Sequence, residues 1–253
     1  MRKILFSVFA VYAISTSFQS SHHTHLKPDK PIAQTAVAPK PEASAKLIYQ
    51  SIDFDGYESI SEDAFEKALT GFENLKRAGK LDADTHLLTV ADFSLSSTKN
   101  RLWVIDLNAR KVLFNTLVSH GRGTGDEFAV NFSNKNNSHQ SSLGFYITES
   151  TYNGSNGYSL KLHGMDKGYN DAAYERAIVM HGADYVSESF AKAQNRIGRS
   201  WGCPAVSREM AAPIINTIKG KNLLFIYYPD QKYLTSSEWL KDDANVDRSF
   251  AKN

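Results

Sequence analysis

The chain has 253 residues, 42% hydrophobic and 22% charged, with a formal net charge of +2 and a single cysteine. One thiol excludes an internal disulfide, and so mild a positive balance gives no footing for a nucleic-acid partner. The length suffices for one substantial domain with a real core, plus an appendage.

Arg2 and Lys3 precede an apolar run, Ile4–Ile14, and small residues follow at Ser15, Thr16 and Ser17. A basic start, a short apolar stretch and small residues form the layout of a secretory signal peptide, and the run is too short for an ordinary membrane span. Residues 1–20 are therefore expected to be removed on export. The mature chain would lie outside the cytoplasmic membrane, in a periplasm or at the cell wall, with no stable membrane insertion. Residues 21–45 carry Pro28, Pro31, Pro39 and Pro41 among Ala, Lys, Thr and His, and read as a disordered linker. His22, His23 and His25 have no acidic or cysteine companions, so neither a metal nor a cofactor is assigned.

Residues 46–84 read as a helical N-terminal segment. Ser59-Ile-Ser-Glu62 has the form of a capping box, Phe65, Leu69, Phe72 and Leu75 recur at helical spacing, and Gly79 is a natural stop. From Leu87 the pattern changes to short apolar strands: 87–90, 101–107, 112–118, 144–148, 158–163 and 177–181, with a hairpin at Asn108–Lys111. A helix over Arg208–Ile218 and a strand over Asn222–Tyr228 complete a mainly β domain, residues 85–230, with a sandwich or barrel-like core. Residues 231–253 read as a polar C-terminal tail.

The chemistry centres on Arg199-Ser200-Trp201-Gly202-Cys203-Pro204, downstream of a strand that ends in His181-Gly182. A nucleophilic cysteine needs a base, donors for an oxyanion, and access for an acyl group. His181 is the leading base, and as an imidazolium beside the thiol it would lower the cysteine pKa. Gly202 has no side chain, so the amides of Trp201, Gly202 and Cys203 are expected to converge on the oxyanion, with Ser200 steadying the turn or donating to the substrate. A papain-like enzyme would place its cysteine before the histidine and at a helix start. Here the histidine comes first, and Pro204 disfavours helical continuation from Cys203.

His181-Gly182, an interval of 17 residues at 183–199, and then Ser200-x-Gly202-Cys203 together resemble the signature of the murein L,D-transpeptidase catalytic domain. The resemblance covers roughly residues 85–230. Trp201 stands where that family usually has histidine, and Ser142-Leu-Gly144-Phe145 where a Pro-x-Gly phrase is common, which marks a divergent branch. The resemblance implies a β-rich fold that acts on peptidoglycan peptide stems through a cysteine acyl-enzyme. Cys203 would be the nucleophile and His181 the base, oriented by the Gly182 carbonyl. Trp201, Gly202 and Cys203 would supply the oxyanion amides. His163, at a second strand end, would line the cleft, and Ser200, Arg196 and Arg199 would contact the stem, the arginines through its carboxylates. Transpeptidation, carboxypeptidase-type hydrolysis of the same stems and a non-catalytic wall-binding module of the same fold remain open. So does the acceptor, another stem or a wall-anchored protein.

The N-terminal pattern generates a direct expectation: the exported protein begins between about Ser15 and Ser21. N-terminal sequencing of the secreted product checks this, and a full-length cytosolic product contradicts it.

Overall fold

A computed structural model describes residues 41–241. The expected signal peptide and most of the expected linker lie outside the described residues. The first helix, α1 (Pro41–Gln50), begins inside the stretch expected to be linker, which corrects that boundary. Proline is tolerated in a first helical turn, where its missing N–H would have no partner. Ala45 is buried, and the Tyr49 hydroxyl donates to the Ile60 carbonyl at 2.7 Å, so α1 is held to the domain.

Helix α2 (Glu62–Arg77) is capped by Ser61, not Ser59: Ser61 Oγ accepts from the Ala64 N–H at 3.2 Å. Glu62 and Asp63 in the first turn and Lys76 and Arg77 in the last complement the helix dipole. Its apolar face, Phe65, Ala68, Leu69, Phe72 and Leu75, is buried in the same core as strand residues Leu88, Val90 and Phe225. A Cβ on Gly71 would meet the Phe145 ring at 2.0 Å, so the helix backbone lies directly on that ring. The helical segment is thus part of the β domain's own core.

Eight strands build the sheet: β1 (Leu87–Asp92), β2 (Leu102–Asp106), β3 (Lys111–Thr116), β4 (Gly144–Gly154), β5 (Gly157–Gly164), β6 (Val179–Gly182), β7 (Ala205–Val206) and β8 (Leu223–Tyr227). Their order is β3-β2-β1-β8-β4-β5-β6-β7. The β1–β8 and β6–β7 pairs are parallel and the others antiparallel. Every residue of β1 and β8 is buried, as expected of strands covered on both faces. The chain leaving β3 returns to the opposite edge: Ser119 N–H donates to the Ala205 carbonyl and Arg122 N–H to the Ser200 carbonyl, each at 2.8 Å. These contacts stitch the two edges into a nearly closed barrel, and the seam runs through the cysteine loop. Helix α3 (Glu188–Gln194) lies between β6 and that loop, and α4 (Arg208–Ile218) packs on β5 and β6. No helix among the described residues is long and apolar enough to cross a membrane.

The first part of the expected polar tail, residues 231–241, is ordered into the domain, and residues 242–253 lie outside the described residues. Helix α5 (Gln231–Ser236) and a 3-10 turn (Glu238–Leu240) put Tyr233 and Trp239 into the core. Trp239 Nε1–H donates to the Met165 carbonyl at 2.8 Å. Asp166 ties this end to β4. Its carboxylate accepts from Phe145 N–H at 2.7 Å and from the Ser237 and Tyr233 hydroxyls. Burial pushes that carboxyl up to about 6. Gly144 has φ +117, and a Cβ there would lie 2.4 Å from Asp166 Oδ2, so the position requires glycine. Trp239→Ala is expected to destabilise the domain by about 3–5 kcal/mol, lowering Tm by on the order of 10 °C in a thermal melt. A frayed tail would leave Tm unchanged.

Candidate active site

The parallel β6–β7 register pairs His181 with Ala205, and on its other side His181 pairs with Ser159 of β5. Cys203, two residues before Ala205, therefore comes level with Val179. The Val179 N–H donates to Cys203 Sγ at 3.5 Å, and the thiol faces the Ala177 carbonyl at 3.8 Å. Ala177 holds φ +53, a left-handed conformation that carries strain of order 1 kcal/mol for such a residue.

Side chains and neighbouring loops fix the turn before the cysteine. Ser200 Oγ donates to the Cys203 carbonyl at 2.6 Å and accepts the Gly202 N–H at 3.1 Å. Ser141 Oγ donates to the Gly202 carbonyl at 3.3 Å. Gly202 has φ +122, and a Cβ there would lie 2.8 Å from the Gln140 carbonyl oxygen, so only glycine fits. The expectation of three converging oxyanion amides is corrected here, because the Gly202 N–H is already committed to Ser200. Among the described residues, the N–H groups of Trp201 and Cys203 have no protein acceptor.

His181 is buried, and its Nδ1–H donates to the Gly182 carbonyl at 3.1 Å, which leaves the Nε2 lone pair as an acceptor. Burial pushes the imidazole below its ordinary range; the Gly182 hydrogen bond opposes this and the Arg208 charge adds to it. Burial also pushes the Cys203 thiol up, against the Val179 N–H and the Arg176 charge, which favour thiolate. Desolvation thus favours the neutral form of both groups, and among the described residues no hydrogen bond joins them. These directions run against the expectation of a thiol pKa lowered by an imidazolium.

Arg176 gave no signal in the sequence, being a lone arginine in a polar stretch. Its guanidinium donates to the Ser133 carbonyl at 2.8 Å and to the Gln140 carbonyl at 2.7 Å, and also reaches the Ser142 and Ser138 hydroxyls. It clamps the 133–142 loop beside Gly202 and supplies the positive charge nearest in effect to Cys203. A fully buried arginine, Arg101, supports the seam from behind. It donates to the Val118 carbonyl at 3.1 and 3.0 Å and to His120 Nδ1 at 2.7 Å. Burial, aided by the Arg101 charge, holds His120 down at about 4, so this histidine is a neutral structural acceptor.

The remaining candidates are spread around the cleft. Trp201 is 69% exposed; its indole stacks on the His139 ring at 5.0 Å, with the Arg122 guanidinium 5.7 Å from the indole centre. Arg199 is partly engaged, its Nη1 donating to the Gly125 carbonyl at 3.0 Å and pairing with Asp126, so its charge is already met by one acid. Arg196 donates to the Ile197 carbonyl at 3.0 Å. His163 is exposed on β5, with Nδ1 3.7 Å from Glu149, about 13 Å along the strand from Ser159, the residue paired with His181.

Arg176 should govern thiol ionisation. Replacing it by Met removes a cation that favours thiolate, so the pH profile of Cys203 alkylation by iodoacetamide is expected to move to higher pH. Arg176→Lys, which keeps the charge, should fall between Met and wild type. Identical profiles for folded Arg176→Met and wild type would contradict this electrostatic role.

The sequence matches the L,D-transpeptidase catalytic domain over residues 57–227. No curated protein matches it. Among solved structures, it is similar to an L,D-transpeptidase from Mycobacterium smegmatis at 12% identity and TM-score 0.36, covering 57% of this chain and 59% of that one. It is also similar to the helical cell shape determining protein Pgp2 from Campylobacter jejuni, at 12% identity and TM-score 0.36, covering 64% of this chain and 56% of that one. A third similarity is to an L,D-transpeptidase from Xylanimonas cellulosilytica, at 13% identity and TM-score 0.32, covering 75% of this chain and 94% of that one. The chain thus spans under two thirds of the length of the first two structures. The family match covers more than half of the chain and contains every strand of the barrel together with His181 and Cys203, so this protein belongs to the L,D-transpeptidase catalytic domain family.

Proposed function

We propose that this protein is an exported cell-wall enzyme that acts on peptidoglycan peptide stems through a Cys203 acyl-enzyme. The observation that carries the reading is the β6–β7 register. It pairs Ala205 with His181 and so holds the only thiol of the chain, two residues earlier, beside the β6 strand whose histidine keeps a free Nε2 that can accept a proton.

The chemistry starts from neutral partners. As the stem's carbonyl carbon approaches, Cys203 sulfur attacks it and the thiol proton passes to His181 Nε2, so the ion pair forms only during the reaction. The carbonyl oxygen takes up negative charge, and the Trp201 and Cys203 amides, which have no protein acceptor among the described residues, donate to it. The C–N bond then breaks, and the departing amine carries away the proton from His181. An acceptor amine attacking the thioester completes transpeptidation; water in its place gives carboxypeptidase-type hydrolysis. Among wall acceptors, another stem supplies such an amine, as would a wall-anchored protein.

A carbapenem presents a strained acyl group and serves as a probe of the acyl-enzyme. Intact-protein mass spectrometry is expected to find one covalent adduct on wild type and none on Cys203→Ala. His181→Ala should slow adduct formation about 10²- to 10⁴-fold, the range of general acid–base catalysis. Trp201→Pro deletes an oxyanion donor and should lose on the order of a hundredfold, while Trp201→His, which keeps the amide, should retain most of the rate. A folded wild-type protein that never forms the adduct would overturn the enzymatic reading and favour a wall-binding module.

A further inference from the structure

A small cavity of about 220 Å³ lies beside the nucleophile, lined by Tyr152, Lys161, Leu162, Tyr174, Ala177, Ile178 and Val179. Two of these residues, Ala177 and Val179, are the ones whose backbone atoms contact Cys203 Sγ. Lys161 projects from β5 at the position paired with Val179, two residues along the strand from Ser159, the partner of His181. Alternation along a strand puts residues 159, 161 and 163 on one face of the sheet, so Lys161 shares its face with the catalytic strand's His181 side. Lys161 and Cys203 flank β6 from opposite sides, two strand spacings or roughly 10 Å apart.

The ammonium is held without being neutralised. Lys161 Nζ lies 5.9 Å from the centre of the Tyr152 ring and 5.9 Å from that of Tyr174, between two tyrosines that are 39% and 49% exposed. Among the described residues no carboxylate comes within ion-pair distance of it. Ring faces attract the cation and restrict its stem, but they leave its N–H donors unfilled. A half-buried lysine so placed, at the edge of a cavity next to a nucleophile, is prepared for an anion. The cavity is smaller than the roughly 300–1,000 Å³ typical of drug-sized ligand sites, so it suits one amino-acid residue better than a disaccharide.

We propose that Lys161, caged by Tyr152 and Tyr174, binds a carboxylate of the peptide substrate about one residue away from the carbonyl that Cys203 attacks. This rests on the acyl-enzyme reading above and adds the substrate's charge to it: the favoured donor is an anionic peptide whose carboxylate faces β5. Arg199, engaged by Asp126, is not the primary anchor; the unpaired lysine is.

The test separates binding from chemistry. The probe is a synthetic stem peptide with free carboxylates and the same peptide with those groups converted to carboxamides. Titrated into full-length Cys203→Ala protein, the acid form should bind about tenfold more tightly than the amide, the scale of one charge-assisted hydrogen bond. Adding Lys161→Met should bring the acid down to the level of the amide and leave the amide unchanged, while Lys161→Glu should reverse the preference. Equal binding of acid and amide by Cys203→Ala protein, or a preference that survives Lys161→Met, overturns the proposal. Failure of the acid peptide to acylate Cys203, with the binding preference intact, would instead count against the acyl-enzyme reading and leave the carboxylate site standing.

Discussion

The seam of the barrel is the constraint on which the site depends. β7 has only two residues, yet it pairs parallel with β6 and accepts Ser119 on its other side, so a short segment closes an eight-stranded sheet. The backbone just before such a segment has no freedom to drift. Cys203 is held between the Val179 amide and the Ala177 carbonyl because Ala205, two residues later, is locked to His181. The polar contacts around Ser200, Ser141 and Gly202 then convert the approach to β7 into a rigid turn. Arg101 and Arg176 brace the two loops that meet there, one from the core and one from the cleft. A guanidinium taken out of water needs its donors filled, and here Arg101 finds the Val118 carbonyl and half-buried Arg176 the Ser133 and Gln140 carbonyls.

Electrostatics and geometry at the cysteine pull in different directions. The fold sets a half-buried Cys203 beside the β6 strand that carries the buried His181, and desolvation disfavours either charged form. A resting thiolate would react readily with oxidants and electrophiles, and a neutral thiol is the less vulnerable state. Substrate binding would complete the site by bringing a carbonyl to the unengaged Trp201 and Cys203 amides. Ser200, whose hydroxyl holds the Gly202 amide, shapes that pair without donating to it.

Much of the barrel was legible in the sequence because its signals are local. Apolar runs bounded by turn residues located the strands, and helix α4 falls on the expected Arg208–Ile218. The strand end at His181-Gly182 and the glycine turn before Cys203 were legible too, since both have recognisable local chemistry. What escaped depends on contacts distant in sequence. Tyr233 and Trp239 sit in a polar stretch without periodicity, and only Asp166, Met165 and the α2 surface make that stretch ordered. Pro41 looked like linker punctuation, yet it starts a helix. Arg176 and Lys161 carry no motif at all: one acquires its role from a loop more than thirty residues away, the other from two tyrosines on neighbouring segments.

The most direct measurement of the central claim is a crystal structure of the acylated protein. The seam geometry predicts a thioester on Cys203 whose carbonyl oxygen lies about 2.7–3.1 Å from the Trp201 and Cys203 amide nitrogens. Gly202 N–H should remain on Ser200 Oγ, and the His181 ring should still be held by the Gly182 carbonyl. A thioester oxygen seated on the Gly202 amide, or turned away from the turn altogether, would contradict it.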